Sequence, residues 1–239
     1  NGHFKYPDND ETQPKVSDYR SDETENKFRF ERSYPDLPVK LLFGGGITYS
    51  YYENETNRKI FSNGSLNDLI YNTELNLWSY QAFIQASDTY LNNRLSLSLG
   101  LNTIGNNFNN NMKNPLNQVS PRFSVSYRLT DRWDINGNVG RYAMRPAYTT
   151  LGFKDASGEF VNKNENLKHI ISNQAIAGFA FEPNNKIRFN LEGFYKHYSN
   201  YPLSVTDGMS IAGKGTDYGQ VGDEEIVSTG EGKAYGVEF

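Results

Sequence analysis

Few side chains in this sequence are spaced for chemistry. The run DGMSIAGKGTD, Asp207 to Asp217, sets Gly208 and Gly213-Lys214 at the spacing of a phosphate-cradling loop, but Gly215 stands where Ser or Thr would hold magnesium. No strand delivers the run and no apolar helix follows it, so it reads as a flexible loop. The histidines His3, His169 and His197 lack ligand spacing and are expected at the surface or at loop bases. If His169 and His197 share one rim, a weak metal or chelate contact is the chemistry open to them. Asp223-Glu224-Glu225 lacks the alternating oxygen ligands of a calcium loop and reads as a solvated charge run. No pair of carboxylates is set for acid–base work at a pocket mouth, and cysteine is absent. The expectation is a protein that is not an enzyme and carries no cofactor and no resident metal.

Composition points to strands joined by polar loops. Hydrophobic residues make up 36% of 239, mean hydropathy is -0.72, and aromatics reach 14% with Tyr 17 and Phe 15. Asn gathers in clusters such as NNFNNNMKN and NKNEN, which suit turns and loops. No apolar run approaches the ~18 residues that a membrane helix needs. The net charge of -4, without a basic stripe, argues against nucleic acid as a partner. The sequence opens on Asn, and the expectation is a piece of a longer protein whose targeting segment lies elsewhere.

The clearest pattern lies in Ser120–Met144. Phe123, Val125, Tyr127 and Leu129 alternate with Arg122, Ser124, Ser126 and Arg128; beyond Thr130-Asp131-Arg132, Trp133, Ile135 and Val139 alternate with Asp134, Asn136 and Asn138. This is a hairpin with one apolar and one polar face. The same alternation predicts strands at 26–34 with 39–52, 75–90 with 94–103, 119–129 with 133–143, 171–182 with 186–198, and a last one from about Lys233. Residues 1–25 read as loop. The turns inside pairs are tight, whereas 53–74, 104–118, 144–170 and 199–232 read as long loops, which compact soluble domains use sparingly.

Short turns at one end and long loops at the other describe an outer-membrane barrel. The predicted strands run roughly nine to sixteen residues, against about five or six in soluble sheets and about nine to eleven in a tilted membrane strand. Tyr49, Tyr51, Tyr52, Trp78, Tyr80, Tyr90, Trp133, Tyr195, Tyr198 and Tyr201 gather near strand ends, as interfacial girdles require. No second apolar set is left to build a core between two sheets, so lipid is the better partner for the apolar parity. The fold class read here is all-β, an antiparallel transmembrane barrel, present as about nine strands. Nine do not close a bacterial barrel, which takes an even number.

At this point the motifs resemble a family. NPLNQVSPRFSVSYRLTDRWDINGNVGRYAMRPAYTTLGF is similar to barrel hairpins of TonB-dependent outer-membrane receptors of the Bacteroidetes type, as are NLEGFYKHYSNYPLSV and GEGKAYGVEF. The resemblance covers about 75–239 well and the first 74 residues by strand pattern only. It implies a 22-stranded barrel filled by a plug domain, with ligand captured by outer loops and energy drawn from TonB, ExbB and ExbD. Plug, TonB box and remaining strands lie outside this sequence. The resemblance implies uptake of a scarce ligand (siderophore or metal chelate, oligosaccharide or peptide) across the outer membrane of a Gram-negative bacterium, with a surface lipoprotein as an optional partner. The rivals are a passive porin and a secreted β-sandwich that binds glycans.

The candidate residues follow from position. Lumen-facing Arg122, Arg128, Asp134, Asn136, Asn138, Tyr142, Arg188, Asn190, Glu192 and Lys196 can hydrogen-bond a plug or a passing solute, or satisfy one another. In the long loops, Arg145, Tyr148, Phe153, Tyr201 and Tyr218 combine aromatics with a guanidinium, which suits recognition of sugars, peptides or chelates.

Overall fold

Period-two alternation commits a chain to strands whose two faces differ, and most of this chain is strand. The computed structural model describes residues 2–4, 17–62, 65–155, 157–164, 167–184, 186–214 and 221–239. The strands are β1 (Gly2–Phe4), β2 (Ser17–Tyr34), β3 (Lys40–Ser62), β4 (Ser65–Tyr90), β5 (Leu95–Asn106), β6 (Ser120–Thr130), β7 (Trp133–Met144), β8 (Ile170–Asn184), β9 (Ile187–Ser204) and β10 (Ile226–Glu238). They form one ten-stranded antiparallel sheet in which every strand lies beside its neighbours in sequence. Short helices α1 (Asn110–Lys113), α2 (Tyr148–Gly152) and α3 (Val161–Asn164) sit in the long connections.

Nine of the strands answer to the nine predicted, and three-residue β1 is an addition. Three boundaries are corrected. Residues 17–25, read as loop, are the first half of β2. The expected loop 53–74 is instead an antiparallel continuation of the hairpin, with Glu53 opposite Glu74 and Ser62 opposite Ser65. β9 and β10 likewise run on to Ser204 and start at Ile226, which shortens the loop predicted at 199–232. In 20–25 and 53–59 both parities are polar, so the alternation that marks a membrane strand fades there while the ladder of backbone hydrogen bonds continues.

The polar parity is concave. Lys40 of β3 and Glu192 of β9 line one hollow of about 430 Å³, together with Ser87, Ser98, Ser124, Asn138 and Gly178 from each strand between. Strands so far apart in the sheet meet around one space only if the sheet curves toward that face. The convex face carries the other parity: Leu97 opposite Val125, Val125 opposite Gly137, Gly137 opposite Ala177, Ala177 opposite Gly193. Leu99 is 59% exposed, Val139 51% and Tyr235 78%. Among the described residues no second sheet covers this face, which removes the sandwich arrangement.

Aromatic side chains mark both ends of the convex face. Near the tight turns, Trp133 stacks on Phe181 at 4.4 Å, Phe181 on Phe189 at 6.4 Å and Phe189 on Phe239 at 6.2 Å, a row that crosses β7, β8 and β9 and ends at the chain's last residue. Toward the long loops, Tyr49 packs against Trp78 with centroids 4.9 Å apart. From Trp78 to Tyr90 on β4, about 3.3 Å per residue gives roughly 40 Å of strand, or about 28 Å of height at a ~45° tilt, close to a hydrocarbon core. Tyr52, counted with the girdle from sequence, points the other way and is fully buried.

Candidate functional site

The long connections fold onto the concave face of the extended β3–β4 hairpin. Tyr52, Leu75 and Leu77 from the hairpin bury against Phe108 and Met112, Tyr148 and Leu151, Leu167, and Ile226, so three connections share one apolar core. Around it the hairpin buries Ser50, Asn54, Thr56 and Thr73. The Thr73 hydroxyl donates to the Gly152 carbonyl. Gly152 lies so close to the hairpin that a Cβ there would meet Thr73 Cγ2 at 2.8 Å and the Tyr52 ring at 3.0 Å. Asn162 ties the connections to each other: its amide donates to Thr150 O at 2.7 Å and Glu224 O at 3.0 Å, and its Oδ1 accepts from Ile226 N at 2.9 Å.

At the edge of this core Arg145 lies over Tyr148 at 3.6 Å from the ring centroid, and Tyr148 stacks on Tyr52 at 5.4 Å. Tyr148 Oη donates to Glu25 Oε1 at 2.7 Å, which links the β7–β8 connection to β2 across the curved sheet. His169, expected at a surface or loop base, is at a loop base but only 1% exposed. Burial first, and then the positive charge of Arg145, lower its pKa to about 4. The unfolded ring takes a proton near 6.5, so the stability contributed by neutral His169 is complete above that pH and is lost as pH falls through about 4. Amide protection factors around 167–170, corrected for the intrinsic pH dependence of exchange, are therefore expected to fall between pH 6.5 and 4, and a His169→Gln variant to lose most of that dependence.

The Asp207–Asp217 run is not a phosphate loop, because its lysine is already engaged. Lys214 Nζ donates to both Glu224 carboxylate oxygens at 2.8 Å and pairs with Asp207 Oδ2 at 2.8 Å. Asp223, expected in a solvated charge run, is buried at 2%. Partial burial pulls the Lys214 pKa down, but hydrogen bonds to Asp207 and Glu224 outweigh it and the net shift is upward. The bond from Lys214, with backbone help, holds Asp207 below its usual value. A raised lysine contributes below about 10.4 and a lowered aspartate above about 3.9, so the staple holds across neutral pH and fails at either extreme. Replacing Lys214 with Ala is expected to make the connection between Ser204 and Ile226 sensitive to added protease at pH 7, with the strands unaffected.

A family model described as TonB dependent receptor-like, β-barrel, matches residues 1–239. The chain belongs to this family. Solved TonB-dependent barrels share the fold at low identity. The ferripyoverdine receptor of the outer membrane of Pseudomonas aeruginosa superposes with TM-score 0.61 at 13% identity, over 92% of this chain and 30% of that one. The siderophore receptor PirA from Pseudomonas aeruginosa gives 0.55 at 14%, over 92% and 39%. The copper transporter OprC gives 0.55 at 16%, over 81% and 33%. This chain thus spans about a third of the length of these structures. No curated protein sequence matches it.

In this TonB-dependent-receptor wall, the predicted lumen residues fall on the concave parity, and several satisfy one another. Arg128 Nε lies 3.3 Å from Asp134 Oδ1. Asn136 accepts from Ser126 at 2.9 Å. Arg188 pairs with Glu182 at 2.7 Å and donates to Asn190 at 3.0 Å. Arg122 lies over Tyr142 at 4.3 Å, and Lys196 over Phe194 at 5.0 Å. Asn138 and Glu192 line the 430 Å³ hollow. Of the loop residues, Arg145 and Tyr148 come together, Phe153 meets Tyr71 edge-on at 5.6 Å, and Tyr201 meets Tyr198 edge-on at 6.5 Å. Tyr218 lies outside the described residues. Sequence reasoning missed Glu25, hidden in a segment read as loop, and Tyr52, whose Asn-rich surroundings disguised the inward parity.

Proposed function

We propose that this chain is part of the wall of an outer-membrane, TonB-dependent importer, with its apolar convex face in lipid and its polar concave face toward a solute path. The observation that carries the reading is the exposed apolar parity of a single curved sheet, bounded by aromatic rows and backed by a polar hollow. A membrane sheet cannot leave edges unpaired in hydrocarbon, where each free N–H or C=O costs several kcal/mol. β2, met by β1 over three residues only, and β10 therefore need further strands, in keeping with a barrel of 22 completed by the rest of the protein. That remainder supplies the plug through which TonB, ExbB and ExbD act. A surface lipoprotein lid and a Bacteroidetes source belong to the same proposal, on the strength of the hairpin motifs alone.

The imported ligand is scarce and held by the loop-bearing end. Solved relatives described as siderophore receptors and a copper transporter make a metal chelate the first class to test, ahead of oligosaccharides and peptides. The test is accumulation of labelled ferric chelates, copper and maltooligosaccharides by cells that carry the full-length protein, with and without TonB. The importer reading expects one class to accumulate only when TonB is present. Uptake that persists without TonB would make the protein a passive pore instead.

A further inference from the structure

Arg145, His169, Ser50 and Tyr148 line a cleft of about 200 Å³, with the paired Glu25 and Lys27 also in its lining. Pockets that enclose drug-sized ligands measure about 300–1,000 Å³, so a cleft this size suits one functional group or a small fragment. Charge narrows the choice. Glu25 is already held by Lys27 at 2.5 Å and by Tyr148 Oη at 2.7 Å. Arg145 makes no ion pair among the described residues and donates only to Pro146 O, at 3.4 Å. Because its flat face lies on Tyr148, the guanidinium is fixed in orientation and its forked N–H edge stays available.

His169 adds a second donor. Asn106 Oδ1 accepts from Phe108 N at 3.0 Å, which turns its Nδ2 toward His169 Nε2 at 3.4 Å. An amide nitrogen only donates, so Nε2 accepts and the ring proton sits on Nδ1. That Nδ1 is buried without a partner. A cationic fork and an unmet N–H together call for an acceptor that is planar and negative. Tyr148 is itself buried and engaged by Arg145 and Tyr52, so it serves as the platform that positions Arg145 rather than as a stacking surface for a sugar.

We propose that the Arg145–His169 cleft is a subsite for a carboxylate group of the solute taken up at the loop-bearing end. This rests on the importer reading and narrows its ligand to one that bears a free carboxylate. The test soaks crystals of the full-length protein with 4-bromobenzoate and, in parallel, with neutral 4-bromobenzamide, and locates bromine by anomalous scattering. The expected result is a bromine peak at the cleft with the carboxylate only. Equilibrium dialysis should show binding about tenfold or more weaker in Arg145→Gln, and in Arg145→Lys, which keeps the charge but loses the fork. Unchanged amide exchange in the loop core would show that both variants remain folded. No peak, equal peaks for acid and amide, undiminished binding in Arg145→Gln, or a carboxylate of the protein itself seated on Arg145 would each overturn the proposal. The soak does not report transport, so its failure and a failure of TonB-dependent uptake are told apart.

Discussion

Arginine in place of Leu99 is expected to destabilise the membrane-inserted full-length protein by about 2–4 kcal/mol, the cost of a cation near the bilayer midplane on the lipid face of a barrel. Leu99 is 59% exposed, on the convex face, opposite Ala86 near the middle of the band that Trp78 and Tyr90 delimit. Its neighbour Ser98 lines the concave hollow, and arginine there should change stability within about 0.5 kcal/mol, as at a solvated surface. Urea titrations in lipid vesicles would read both values. The contrast between adjacent residues matters more than either number, because it separates the apolar face from the polar one within a single strand.

The second large effect lies in the loops. Leu151 is fully buried in the core that the β5–β6, β7–β8 and β9–β10 connections share with the β3–β4 hairpin. Truncation to Ala removes that packing and leaves a cavity, at a cost of about 2–5 kcal/mol. The loss should be local, since the strands below are held by their own ladder. Amide exchange should quicken at 148–152, 161–164 and 221–226 while Phe123–Leu129 keeps its protection. If the strands lost protection together with the loops, the loop core and the sheet would be one cooperative unit, contrary to the architecture described.

How far the sequence could be read depended on what each residue packs against. β6 and β7 were legible because one parity meets an apolar phase: Phe123, Val125, Tyr127 and Val139 declare the convex face, and Ser124, Ser126, Asn136 and Asn138 the concave one. The far ends of β3 and β4 were not. Tyr52 is buried by connections that arrive from much later in the chain, with Asn54 and Thr56 buried on the same face, and no local period encodes a partner of that kind. Arg145 and Tyr148 were picked out by adjacency of charge and ring, and the structure brings them into contact. His169 carried no spacing signal, because Asn106 comes from the end of β5 and Arg145 from the opposite end of its own long connection. The run around Lys214 read as a flexible loop, and the staple that its carboxylates, Asp207 and Glu224, form with it was not legible because Glu224 lies ten residues on, with no local pattern linking the two.

The central claim is that lipid covers the apolar parity, and adjacent positions on β6 test it most directly. Spin labels at Val125 and at Ser126 of the full-length protein in nanodiscs would be compared for relaxation by oxygen and by a water-soluble nickel chelate. The account predicts that Val125 favours oxygen and Ser126 favours the chelate. A label at Val125 shielded from both reagents would mean that protein, not lipid, covers the convex face, and the importer reading would fall with it.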